Sequence, residues 1–122
     1  METVSIKVPA SPEFLHVVRL VAAGLAARLH FTLDEIEDLK IAVDELTGYL
    51  TGPQGRDGTL EVRFSVGEDQ IEIHGVGHLR AAHQVRTELS QLSRMILETV
   101  ADSASLQRPD NTLSFDLVKT RR

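Results

Sequence analysis

Apolar and polar residues alternate at the start of the chain, where Val4, Ile6 and Val8 lead to Pro9. This period of two predicts a half-buried strand. Ser11 and Pro12 then supply a cap residue and a first-turn proline. From Phe14 the period changes: Phe14, Val18, Val21, Leu25 and Leu29 recur at spacings of three and four, which predicts a helix ending near His30. A second helix is announced by Thr32 and Glu35, spaced as a capping box, with Phe31 and Ile36 placed for a hydrophobic staple. Its apolar stripe is Ile36, Leu39, Val43, Leu46 and Leu50. At about 100° per residue, Glu45 and Tyr49 fall beside one another, off the centre of that stripe.

TGPQGRDG, Thr51 to Gly58, has the composition of a loop. Alternation then returns in Leu60, Val62, Phe64 and Val66, and after a turn at Gly67 to Asp69 it continues in Ile71 and Ile73, so a hairpin is predicted. Val85, Leu89, Leu92, Ile96 and Val100 resume helical spacing. A short strand around Ser103 to Gln107, a turn at RPDN and a strand through Leu113, Phe115 and Leu117 complete the pattern. Strand, helix, helix, hairpin, helix, hairpin is the order expected of an α+β two-layer sandwich, a single domain over residues 1–122 with helices on one face of one sheet.

Composition narrows the function classes. Hydrophobic residues at 42% and charged residues at 25% are ordinary for a globular domain. The formal charge of -5 opposes nonspecific attraction to nucleic acid or anionic membrane, so proteins or small ligands are the expected partners. No apolar run approaches the roughly 18 residues of a membrane span, and residues 1–9 lack the basic start and apolar block of an export signal; a cytoplasmic location is expected. The absence of cysteine excludes disulfides, thiolate nucleophiles and zinc-thiolate sites. No G-x-S-x-G nucleophile elbow occurs. His74, His78 and His83 lie close in sequence, but spacings of four and five place them on no shared face, so no metal site is expected.

Three stretches, KVPASPEFLHVVRL, TLDEIEDLKIAVDE and VGEDQIEI, closely resemble the bacterial anti-sigma-factor serine kinases of the GHKL, or histidine-kinase-like, ATPase superfamily. The resemblance runs through nearly the whole chain and is densest from Ile6 to Glu45. It implies a Bergerat-type sandwich, a mixed β-sheet covered on one face by three helices. It also implies a protein that binds a sigma factor and withholds it from RNA polymerase, and that uses Mg-ATP to phosphorylate a serine on an anti-anti-sigma (STAS-type) protein. A homodimer through the first strand and first helix is implied as well.

The resemblance locates three ATP boxes, and each departs from the family pattern here. The first is Glu-x-x-x-Asn on the second helix, where the carboxylate activates the attacking hydroxyl and the asparagine holds magnesium; Glu45 matches, but Tyr49 stands at the asparagine position. A neutral phenol is a poor magnesium ligand. Read without the resemblance, Glu45 is a solvated carboxylate among Asp34, Glu35, Glu37, Asp38 and Asp44. The second box, Asp-x-Gly-x-Gly, has IHGVG as its counterpart, with Ile73 or Gly77 at the aspartate position according to register. Gly75 and Gly77 are vestigial candidates for contacting a nucleotide, or simply flexible residues ending a strand. The third box should be glycine-rich, yet ELSQLSRMILETV contains no glycine; Ser90 and Ser93 read as helix-surface serines.

Two readings follow. In the first, the fold is retained for binding, with no cofactor expected, and the partner surface is the side of the first helix carrying His16, Arg19, Ala23 and Ala27, where small residues admit a neighbour and Arg19 pairs a carboxylate. In the second, the chain is an active kinase using Mg-ATP, with Glu45 as the catalytic base and another acid such as Asp44 assisting the ion.

Overall fold

The computed structural model describes residues 1–80 and 88–122. Five strands, β1 (Glu2–Pro9), β2 (Gly58–Val66), β3 (Gln70–Leu79), β4 (Ser103–Gln107) and β5 (Leu113–Thr120), form one sheet in the order β1-β2-β3-β5-β4. Among the described residues three α-helices, α1 (Leu15–Arg28), α2 (Leu33–Thr51) and α3 (Gln91–Val100), complete the α+β sandwich.

The sheet is not mixed, as the resemblance implies, but antiparallel at all four of its pairings. The reason is topological. The connection that includes α3 leaves β4 running in the same direction as β3, and a crossover of that kind normally yields a parallel pair. Here β5 turns back between the two, pairing Ile73 with Leu117 on one side and Ala104 with Leu117 on the other, so no parallel ladder forms among the described residues.

One face of the sheet builds the core. Leu60, Val62, Phe64, Ile71, Ile73, Leu113, Phe115 and Leu117 are buried, whereas their neighbours Glu61, Arg63, Glu72, His74 and Asp116 alternate to the other face. Gly75 is an exception that keeps the alternation working: a Cβ there would lie 2.1 Å from the ring of Phe115 on the paired strand, so only glycine admits that ring. Gly58 opens β2 with φ of 140°, in a conformation and a space that exclude a side chain.

α2 is the central helix, in contact with α1, α3 and β5. Leu39, Ala42, Val43, Leu46 and Leu50 are fully buried on it. α1 is rotated from the expected stripe: Val18, Ala22 and Ala26 are its fully buried positions, with Phe14, Val21, Leu25 and Leu29 packed at the edge of the core. Its apolar surplus, Val17 and Leu20, is exposed. His30, in the left-handed region at φ of 62°, ends the helix. Ser11 precedes a 3-10 turn at Pro12–Phe14, and its side chain makes no cap hydrogen bond.

α3 also differs from its expected stripe. Val85 lies outside the described residues, Leu92 is 67% exposed, and the buried positions are Ser93, Leu97 and Val100. A serine faces inward because its hydroxyl has partners on α2. Those partners define the candidate site.

Candidate functional site

Glu45 and Tyr49 stand one turn apart on α2, both half-buried, and face the amino-terminal end of α3. The helical spacing that sets them side by side also keeps them clear of the Leu39–Val43–Leu46–Leu50 stripe, so their polar ends reach the seam between the two helices. The ring of Tyr49 packs against the core, while its hydroxyl enters a chain of hydrogen bonds.

The chain runs in one direction. The Ser90 backbone N–H donates to the Tyr49 hydroxyl (2.9 Å), which donates to Ser93 Oγ (2.9 Å), which donates to Glu45 Oε2 (2.9 Å). Ser90 Oγ donates to Ser93 Oγ (3.0 Å) and accepts from the Ser93 backbone N–H (3.0 Å). Ser90 is the N-cap of α3, and Ser93 is its third helical residue. The first amides of a helix have no partner inside it. Here the Ser90 side chain satisfies one and the Tyr49 phenol, from a different helix, satisfies another.

The two serines are therefore not surface residues. Ser93 is 7% exposed and both belong to the seam. Ser90 carries a recognisable sequence signal, a serine immediately before an apolar-periodic run. The inward turn of Ser93 carries none.

The other predicted residues fall elsewhere. Gly75 and Gly77 are buried inside β3 rather than at its end, opposite Phe115 and Leu113 of β5. Arg19 is committed within the chain: Nε lies 3.1 Å from Asp44 Oδ1 and Nη2 lies 3.0 Å from Oδ2, a two-pronged pair joining α1 to α2. His16 Nδ1 lies 3.2 Å from the same guanidinium. Asp44 thus turns to the opposite flank of α2 from the seam. Ala23 is half-buried and Ala27 exposed, and the side of α1 directly away from the core carries Val17, Leu20 and Gly24. His74 pairs with Asp116 at 2.8 Å on the open face of the sheet, His78 is exposed, and His83 lies outside the described residues.

Below the seam, the far end of α3 is anchored by charge. Buried Lys119 donates to the Val100 carbonyl (2.9 Å), the last residue of α3, and stands 3.7 Å from Asp38 of α2. Cations at a helix carboxyl end are favourable because the last carbonyls are unpaired and the dipole is negative there. Next to it, Asp102 is held below the usual carboxylate range: partial burial works against its charge, but the Thr120 amide and the Arg122 guanidinium outweigh that effect.

No protein-family model matches the chain. Among curated proteins, the serine-protein kinase RsbW of Bacillus cereus is 31% identical over 121 residues, covering 98% of this chain and 72% of the relative. The serine-protein kinase RsbW of Bacillus licheniformis is 33% identical over 124 residues, covering 85% and 77%. The chain belongs to the RsbW family. Higher identity is found over shorter stretches, as with the RsbW of Bacillus pumilus, 41% identical over 78 residues, where the match takes in 60% of this chain and 48% of the relative. Against such RsbW relatives the chain spans about half their length. The antiparallel sheet with three helices is consistent with the GHKL-type sandwich of the RsbW family.

Proposed function

We propose that this chain is an anti-sigma regulatory protein that works by binding: a single domain over residues 1–122, homodimeric and cytoplasmic, that holds a sigma factor, an anti-anti-sigma protein of the STAS type, or both, with ATP binding and phosphoryl transfer lost. The observation that carries this reading is the position of the Tyr49 hydroxyl, bonded at once to Ser93 and to the amide of Ser90, the N-cap of α3. Phosphoryl transfer rests on a positioned metal ion and on donors aimed at the phosphate oxygens. At the seam the neutral phenol stands at the family's metal-ligand position, Glu45 already accepts from Ser93, and the Ser90 amide is already taken. Gly75 accommodates Phe115, which accounts for it without a nucleotide. The donor set does not suit Mg-ATP.

The partner surface in this reading is the outer side of α1, with His16 and Ala27 from the expected set and exposed Val17 and Leu20 beside them. Arg19 and Ala23 border it on the flank toward α2, where Arg19 holds Asp44.

A second reading keeps the enzyme: a protein-serine kinase phosphorylating an anti-anti-sigma protein, with Mg-ATP as cofactor. It is supported by the names of the relatives and by the retention of Glu45. Calorimetry with Mg-ATP separates the two. The binding reading expects no heat at micromolar concentrations, unchanged in Tyr49→Asn, together with retention of a sigma factor or a STAS-type protein in a pull-down without nucleotide. Micromolar binding, with phosphate transfer that Glu45→Ala abolishes, would replace it by the kinase reading. Retention of neither protein would remove the anti-sigma role.

A further inference from the structure

We infer that the Tyr49 hydroxyl is a built-in closure of the seam between α2 and α3, which fixes α3 in one position with or without nucleotide, so that the site contains no nucleotide switch. This rests on the binding reading above and states how the site of that reading is regulated.

Three features carry it. The first is completeness: the amide of Ser90 and the hydroxyls of Tyr49, Ser93 and Ser90 each have an acceptor, and the last acceptor is the Glu45 carboxylate. A half-buried polar seam is stable only when its members are satisfied in this way. The second is reach. Tyr49 and Ser90 are 41 positions apart, and Glu45 and Ser93 are 48 apart, so the bonds join two separate elements rather than stiffening one. The third is cost. A ligand entering the seam must first break the bonds from Tyr49 to Ser90 and to Ser93. Losing a hydrogen bond at a half-buried group reduces an equilibrium constant by about tenfold, so the closure weakens any such ligand by a comparable factor for each bond.

Hydrogen–deuterium exchange on the full chain tests the closure directly, because local opening of α3 sets the exchange of its amides. Wild type, Tyr49→Phe and Ser93→Ala are compared, each with and without saturating Mg-ATP. Tyr49→Phe keeps the ring and removes only the hydroxyl, so a packing role alone would leave exchange unchanged. The expected result is α3 exchange about tenfold faster in both variants, with β1 and β2 unaffected, and no effect of Mg-ATP on wild-type α3. If both variants exchange like wild type and Mg-ATP has no effect, the closure is refuted while the binding reading stands. If Mg-ATP slows exchange across wild-type α3, both are refuted. The wild-type arm needs no substitution, and Ser93→Ala supplies the variant result if Tyr49→Phe does not fold.

Discussion

α2 and α3 begin with the same chemistry assembled in two different ways. At the start of α2, the Thr32 side chain accepts from the Glu35 amide (3.1 Å) and the Glu35 side chain accepts from the Thr32 amide (2.8 Å), a capping box closed within one turn. At the start of α3, the Ser90 side chain accepts from the Ser93 amide, but the acceptor for the Ser90 amide is Tyr49 of another helix. The first helix start closes both of its cap bonds within its own turn. The second exists only as part of a helix pair, so what stabilises α3 locally also fixes where α3 sits. A helix whose cap comes from elsewhere reports on the contact that supplies it.

The largest effect that breaks this symmetry is expected of Tyr49→Ala, which removes both the ring packed against the core and the hydroxyl. A loss of about 3 kcal/mol is expected from the packing and the cap together, measured as the shift of the urea midpoint at unchanged slope. Tyr49→Phe isolates the remote cap and should cost about 1–2 kcal/mol in the same assay. Thr32→Ala breaks the local box and should cost about 1 kcal/mol; its exchange signature should stay within the first turn of α2, whereas that of Tyr49→Phe should appear on α3. If Thr32→Ala loosens α3 as much as Tyr49→Phe does, the contrast between local and remote caps is wrong.

The smallest effect is read in acid. Glu35 is held below the ordinary carboxylate value by the Thr32 amide first and the Arg122 amide next, the latter at 2.7 Å. A carboxylate with a depressed folded-state pKa binds fewer protons folded than unfolded. Its stabilisation is therefore present above the unfolded value and lost as pH falls through the folded one. The α2 cap should weaken progressively below about pH 5, and Glu35→Gln should flatten that part of the stability profile. The serine hydroxyls of the α3 cap carry no charge to lose in this range.

The same distinction governs what was legible in the sequence. Thr32 and Glu35 lie three apart before an apolar run, so the pattern alone announces their box, and the structure contains both of its bonds. The strand at Ser103 to Gln107 and the hairpin turn at Gly67 to Asp69 were readable for the same reason: their signals are contiguous. Ser93 was not readable, because a serine becomes an interior residue only when a distant helix offers it Tyr49 and Glu45. The buried face of α1 is not legible in the pattern, because alanine carries little pattern signal and two of its buried residues are Ala22 and Ala26. Strand direction failed on topology. Alternation marks β4 and β5 but says nothing of which one sits beside β3.

That placement of β5 has a consequence for how the chain comes to be folded. β5 is made after β4 yet lies inside it, pairing with β3 on one edge and with β4 on the other. During synthesis, β1, β2 and β3 emerge early and pair as neighbours, but the rim of β3 stays bare until residues 113–120 leave the ribosome. An open strand rim invites pairing with other chains. The nascent protein is thus most prone to sticking just before its fifth strand arrives, and completing the sheet also ends that exposure.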